Sequence, residues 1–283
     1  MADAKSGSKS KIVLVTGASA GIGKATAAML ARDGYTVYTA ARRTAPMEKL
    51  KSLGCIPLQM DICRAEDIDA TVSRIEQDHG RLDVLVNNAG MAINGAIEEM
   101  PIEEARRQFE VNLFGLAALT QRVLPGMRQQ GRGTIVNVSS VAGKLHTPIS
   151  GWYTATKFAL EGLSDTLRVE VAPFGIDVVL IEPGAIATEF LDVAIGPMLQ
   201  RSGEGPYKEM THTIADALQK AQATGQMSPP EVIARAIHKA VAARRPKTRY
   251  VAGKYSSTLL MMRRLFSDRM FDRAMMNFAK RRT

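Results

Sequence analysis

The sequence predicts an α/β fold: one doubly wound parallel sheet covered by helices on both faces, a single domain with a basic helical extension at its C-terminal end. Short apolar, often β-branched runs alternate with longer stretches whose apolar residues recur at helical spacing. The first such run passes directly into a glycine-rich turn that opens the first helical stretch. No internal repeat or linker-like segment interrupts the 283 residues, and folds of this class often run to about 200–250 residues without dividing.

The elements follow in chain order. The continuous β-branched run at 12–15 reads as a buried first strand, followed by a helix over 22–32 that ends at Gly34. A second strand at 37–40 precedes a short helix over 46–53 and an extended segment at 56–60. The helical pattern at 65–79 stops at Gly80, and a fourth strand occupies 84–86. One long helix is expected over 102–130, accommodating Pro125, then a fifth strand at 134–138, a helix at 152–172 and a sixth strand at 178–181. The β-α-β-α order calls for a parallel sheet. From 189 to 228 the pattern loosens into a Met-, Gly- and polar-rich stretch. Ser228-Pro229-Pro230-Glu231 then resembles a capping box with proline at the first helical position, opening a helix to about 244 before a last strand at 248–252.

Composition narrows the function classes. The only cysteines, Cys55 and Cys63, form neither a disulfide framework nor a metal-ligand spacing, so no metal is expected and a cytoplasmic setting fits best. Residues 1–10 are polar, without the apolar core of a signal peptide, and read as a disordered lead-in. No apolar run reaches the roughly 18 residues a spanning helix needs. The net charge of +9 is uneven: residues 244–283 hold 12 Lys/Arg and 2 Asp/Glu, against 25 and 26 in the remainder. A nucleic-acid binder spreads its basic charge over a face of the fold, so no nucleic-acid partner is expected.

The turn Thr16-Gly17-Ala18-Ser19-Ala20-Gly21-Ile22-Gly23 lies between the first strand and the first helix. Glycines there let the backbone turn tightly and approach a pyrophosphate, which the free N–H groups of the helix N-terminus then meet. Gly17, Ser19, Gly21, Ile22 and Gly23 are therefore cofactor candidates. An acidic residue after the second strand would select NAD by binding the ribose hydroxyls. Here the segment reads Ala40-Ala41-Arg42-Arg43, and a guanidinium fork suits a 2′-phosphate. Arg42 and Arg43 thus point to NADP(H), the other reading being two solvated loop charges.

Tyr153 and Lys157 are four residues apart on an expected helix and share one face. Free tyrosine titrates near 10, and a nearby ammonium is expected to lower that value. These motifs, with Asn87-Asn88-Ala89-Gly90, Asn112, Ser140 and Pro183-Gly184, resemble the short-chain dehydrogenase/reductase family in order and separation over roughly residues 11–190.

The resemblance implies a Rossmann fold and a set of roles. Ser140, a better match than Ser139, would hold the substrate oxygen, and Tyr153 would transfer a proton to or from it. Lys157 would lower the Tyr153 pKa and hold the nicotinamide ribose, while Asn112 would bind a water leading from Lys157 to solvent. Asp61 and Ile62 would contact adenine. Asn88, Ala89 and Gly90 would border the adenosine ribose, and Pro183, Gly184, Ile186 and Thr188 would flank the nicotinamide amide. The implied activity is hydride transfer between NADP(H) and a carbonyl or alcohol carbon of a lipophilic small molecule, as in members that handle retinoids, steroids and long-chain aldehydes. A reductase of 3-oxoacyl groups on an acidic carrier protein and a non-enzymatic NADP(H)-binding sensor are the alternatives. The resemblance also implies a homo-oligomer, dimer or tetramer, paired through the helices around 102–130 and 152–172. His146, His212, Trp152 and Met198, Met210 and Met227 have both a site reading and an ordinary packing reading.

The domain proper is expected to span 11–255, with 189–228 as its substrate-loop region. In the segment 256–283, Leu259, Met262, Phe266 and Met270 lie at helical spacing, Phe271, Met275 and Phe278 continue an apolar side, and basic residues surround it. Such a segment either packs on its own domain or lies on an anionic membrane surface, which would make the protein peripheral.

Overall fold

The computed structural model describes residues 10–280, with the side chains of Phe190, Leu191, Asp192, Phe278 and Lys280 left out of the description. The lead-in expected over 1–10 thus falls, except for Ser10, outside the described residues, as do Arg281 and Arg282. In chain order the elements are β1 (Ile12–Thr16), α1 (Gly21–Arg32), β2 (Thr36–Ala41), α2 (Glu48–Lys51), β3 (Ile56–Gln59), α3 (Ala65–His79), β4 (Val84–Asn87), α4 (Ile102–Phe109), α5 (Gly115–Gln130), β5 (Gly133–Val138), α6 (Gly151–Val171), β6 (Ile176–Pro183), α7 (Glu189–Ser202), α8 (Lys208–Ala223), α9 (Glu231–Ala242), β7 (Arg249–Ala252), α10 (Ser256–Leu265) and α11 (Asp268–Lys280).

The seven strands form one sheet in the order β3-β2-β1-β4-β5-β6-β7, and every pairing is parallel. The β-branched run of β1 has its reason here. Val13 and Val15 pack with Leu30 of α1 and Ile233 of α9 on one face, while Ile12 and Leu14 pack with Val72 of α3 and Leu119 of α5 on the other. A strand buried on both faces reads as continuously apolar.

Four regions differ from the sequence expectation. The helix over 102–130 is three pieces: α4, a π-helical turn at Glu110–Phe114, and α5, which contains Pro125. The loose stretch at 189–228 is mostly helical, as α7 and α8. The capping box does not form. Pro230 is the N-cap without a side-chain hydrogen bond, and the first-turn N–H groups of Val232 and Ile233 donate to the carbonyls of Pro229 and Pro230. The Ser228 hydroxyl instead accepts from the Lys254 N–H at 2.9 Å, and the Ser228 backbone bonds to Ala185 and Ala187.

The fourth difference is that the C-terminal segment breaks into two helices, α10 and α11; its contacts are those of the reading in which it packs on its own domain. Phe271 is fully buried, with the His146 ring edge-on at 5.1 Å and the Arg263 guanidinium 5.6 Å from its centroid. Enclosing a side chain of that size contributes about 2–3 kcal/mol. Asp272 pairs with His146 at 3.0 Å, and Ala279 joins Ile149, Ile195, Met198 and Ile214 in a separate apolar cluster. No described helix is long and apolar enough to cross a membrane.

Candidate active site

A cleft of ≈ 940 Å³ runs across the C-terminal ends of the central strands. Of the twenty candidate residues, eighteen line it: Gly17, Ser19, Gly21, Ile22, Arg42, Arg43, Asp61, Ile62, Asn88, Ala89, Gly90, Ser140, Tyr153, Lys157, Pro183, Gly184, Ile186 and Thr188. The other two, Gly23 and Asn112, stand behind it as braces.

At the glycine turn, Gly17 has φ +65°, a conformation that costs a side chain strain and glycine none. A Cβ on Gly23 would lie 2.5 Å from both the Asn88 Nδ2 and the Gly17 oxygen, so the helix can approach the turn this closely only without one. Asn88 Nδ2 donates to the Thr16 and Gly17 carbonyls at 2.9 and 3.3 Å, and the N–H groups of Asn88 and Ala89 both donate to Thr16 Oγ1 at 3.0 Å. These bonds lock the end of β1 to the end of β4. Helix α1 begins at Ala20 with no side-chain cap, which leaves its first N–H groups facing the cleft. Arg42 and Arg43 are exposed at its edge, and neither makes a salt bridge with a described residue.

Asn112 sits in the π-helical turn and is almost wholly buried. Its Oδ1 accepts from the Met91 N–H at 2.8 Å, and its Nδ2 donates to the Met91 carbonyl at 2.8 Å and to Thr156 Oγ1 at 3.1 Å. Both amide donors are therefore used in joining the 90–91 loop to α6. A single inserted residue turns the side chain inward, a common setting for π turns at functional sites.

Helix α6 carries Tyr153 and Lys157 toward the cleft. A buried ladder orients it: Asn87 Nδ2 donates to Asn137 Oδ1 at 2.9 Å, and Asn137 Nδ2 donates to Ser164 Oγ at 2.9 Å. Lys157 Nζ donates to the Val138 carbonyl at 2.9 Å and lies 5.8 Å from the Tyr153 ring centroid. Ser140 is hydrogen-bonded to Tyr153, and its Oγ accepts from the Ala142 N–H at 3.1 Å. Ser139 points away and is buried against Gly143.

The electrostatics depart from the expectation that Lys157 lowers the Tyr153 pKa. Burial pushes Tyr153 up to about 12, with the Ser140 hydrogen bond acting in the opposite sense. Burial also brings Lys157 down to about 8, partly offset by the Glu161 carboxylate. Removing both groups from water disfavours both charges, and burial is the largest cause of each shift. Tyr153 is therefore a neutral phenol that holds its proton.

Residues that the sequence patterns did not single out line the rest of the cleft: Met91, Ile93, Arg107, Val193, Pro197, Arg201 and Leu218 among them. They come from loops and helices far apart in the chain, and no periodicity links them. Arg201 holds α7 over the cleft through the Asn94 carbonyl at 2.9 Å and Glu104 at 2.5 Å. Of the ambiguous residues only Met227 lines the cleft. Met198, on α7, is buried, with Met210 packed against the same cluster. Trp152 packs beside Ile93 and Met100 and edge-on to Phe109. His146 pairs with Asp272, and His212 contacts the Gly203 carbonyl.

The segment 11–195 matches the family model described as short chain dehydrogenase. Over 182 residues, 64% of this chain and 66% of the relative, the sequence is 43% identical to 3-ketodihydrosphingosine reductase of Bacteroides thetaiotaomicron. Over 277 residues, 93% of this chain and 95% of the relative, it is 34% identical to the NADPH-dependent 3-dehydrocapnine reductase of Ornithobacterium rhinotracheale. The crystal structure of a short-chain dehydrogenase from Streptomyces avermitilis superposes with a TM-score of 0.77 at 33% identity, covering 96% of each chain.

Proposed function

This chain is an oxidoreductase of the short-chain dehydrogenase family, and we propose that it uses NADPH to reduce the ketone of a lipophilic small molecule. The observation that carries the reading is the Ser140–Tyr153–Lys157 group, facing a cleft that Arg42 and Arg43 also line, neither in a salt bridge with a described residue. The residues present fit a dinucleotide. The turn that borders the cleft is held so tightly against Asn88 and Ala89 that Gly17 and Gly23 admit no Cβ, the N-terminus of α1 has no side-chain cap, and Arg42 and Arg43 suit a 2′-phosphate. Asp61 and Ile62 would border adenine, Asn88 to Gly90 the ribose, and Pro183, Gly184, Ile186 and Thr188 the nicotinamide end. The bound cofactor supplies the hydride.

The chain's own groups supply the proton and the polarity. Ser140 donates a hydrogen bond to the carbonyl oxygen as negative charge develops there, and Tyr153 gives that oxygen its proton. A phenol whose pKa is pushed up to about 12 arrives protonated at neutral pH, the state that reduction requires. Lys157 places a positive charge beneath the ring. Asn112 positions Lys157's helix through Thr156. On the substrate side Met91, Ile93, Val193, Pro197, Leu218 and Met227 form apolar walls. Those walls favour a lipophilic ketone over a polar one. Two relatives support this choice, since their names specify reductases of 3-keto and 3-dehydro compounds.

Tyr153→Phe removes the transferable proton and little else. We expect kcat to fall about 10²–10⁴-fold with NADPH affinity retained; near wild-type turnover would sink the assignment. Replacing Arg42 and Arg43 by alanine is expected to weaken NADPH by about 1.5–3 kcal/mol, towards the lower end because both are exposed, and to leave NADH nearly unchanged. Equal losses for the two nucleotides in fluorescence titrations would remove the 2′-phosphate role.

Two surface readings belong to the same proposal. Phe114, Phe158 and Val169, at 55%, 46% and 71% exposure, leave apolar side chains on the π turn and α6 that a homo-oligomer would cover. Sedimentation giving only a 30.7 kDa species at micromolar concentration would contradict that. On α10 and α11, exposed Met261, Leu265, Met270 and Met276 interleave with Arg264, Arg269 and Arg273, a pattern suited to an anionic membrane surface. Salt-sensitive co-sedimentation with anionic vesicles is expected, and no binding at low salt would exclude this partner.

A further inference from the structure

The substrate wall has a footing of its own. Helix α7 presents Val193, Pro197 and Arg201 to the cleft, four residues apart and therefore on one face. Its other side carries Ile195 and Met198, both buried. These two join Ile214 of α8, Ala96, Ile149 and Ala279 of α11 in an apolar cluster separate from the two that cover the sheet. None of the described residues in that cluster lies on a strand. Leu218 of α8 packs against the cluster and also lines the cleft. So α7 and α8 stand with the cleft on one side and the cluster on the other. Polar bonds pin the C-terminal end of α7: the Ser202 hydroxyl accepts from the Ala96 N–H at 2.9 Å, and Arg201 donates to the Asn94 carbonyl at 2.9 Å. The middle of the helix, which turns Val193 and Pro197 to the cleft, rests on the cluster.

Helix α11 closes that cluster. It packs against α8, and its Ala279 is 2% exposed. Its other end is gripped elsewhere. Phe271 is fully buried with the His146 ring edge-on at 5.1 Å, and Asp272 pairs with His146 at 3.0 Å. Phe271 and Ala279 are eight residues apart, about 12 Å along the helix, and belong to one stripe. Phe271 is thus the anchor and Ala279 the spacer. Close-packed interiors pass a displacement on to their neighbours rather than absorb it. We propose that α11 is a specificity-determining element of the substrate site: anchored by Phe271, it sets through Ala279 how closely α7 and α8 stand over the cleft, and so how bulky a ketone the cleft admits. The inference rests on the substrate side given to α7 and α8 above. A small residue suits the spacer, because extra bulk there overfills the cluster and shifts what packs on it.

The kcat/KM of the full chain across a panel of ketones of graded bulk, at saturating NADPH, tests this. Ala279→Leu adds an isopropyl group behind the wall. It should lower kcat/KM for the bulkiest ketone accepted by about tenfold, with the smallest ketone and the NADPH Kd unchanged. Phe271→Leu removes the ring that anchors α11 and should act in the opposite sense, favouring the bulkiest ketone relative to the smallest. A merely structural role predicts a lower Tm and a loss of turnover shared equally by every ketone. A bulky-to-small ratio unaltered by Ala279→Leu overturns the inference. If that variant fails to fold, an unaltered ratio in Phe271→Leu overturns it. A wild-type chain that reduces no ketone of the panel would instead remove the parent reading, which keeps the two failures apart.

Discussion

Everything functional here depends on one constraint: β1 pairs in parallel with β2 on one side and β4 on the other. Parallel neighbours require crossover helices: the chain leaves β1 towards β2 on one side and, after crossing back from β3 to β4, leaves β4 towards β5 on the other. The loops that follow β1 and β4 therefore diverge, and the cleft opens where they part. Thr16 and Asn88 hold this point together. The Thr16 hydroxyl receives two backbone N–H groups from the β4 loop, and the Asn88 amide returns to the β1 carbonyls. Unpaired buried donors at this position would cost about 1–3 kcal/mol each, so the polar lock is a condition of having a cleft in an otherwise apolar sheet.

From that opening the structure builds outward through buried polar contacts. The Asn87–Asn137–Ser164 ladder aligns α6 with the sheet, and the π turn attaches Asn112 to α6 and to the 90–91 loop. The result is a tyrosine and a lysine kept in surroundings dry enough to move both away from their ordinary titration ranges. Catalytic power and folding stability pull against each other here, because each charge buried near Lys157 has to be answered by another. A separate chain of ion pairs, Glu161, Asp165 and Glu182 around Arg249, ties α6 and β6 to the edge strand β7.

The C-terminal helices take part in the same economy of positions. Ile149, four residues before Tyr153, has φ +64°, a strained conformation for a β-branched residue. Its carbonyl accepts from the Gly95 N–H at 2.8 Å, and its side chain packs with Ala279 of α11 and Met198 of α7. Phe271 and Asp272 grip His146 in the same loop. Helix α11 thus supports the segment that connects Ser140 to Tyr153; its amphipathic composition allows packing on the domain but does not say where.

The sequence by itself determined what depends on neighbours within a few residues. The apolar run at 12–15, the helical spacing that ends at Gly80, the glycine turn, and the face shared by Tyr153 and Lys157 all follow from local sterics and periodicity, and the structure has them where the residues indicate. Tertiary structure decided what depends on groups distant in the chain. A π turn adds one residue to a helix without disturbing its composition, so Asn112's inward turn was not legible. Ser228 is drawn from a local cap to Lys254, 26 residues on. The substrate walls assemble from segments that share no period. Above all, the Tyr153 pKa rises where local spacing to a lysine predicts a fall, because desolvation is set by everything that packs around a group, and only the folded chain brings those atoms together.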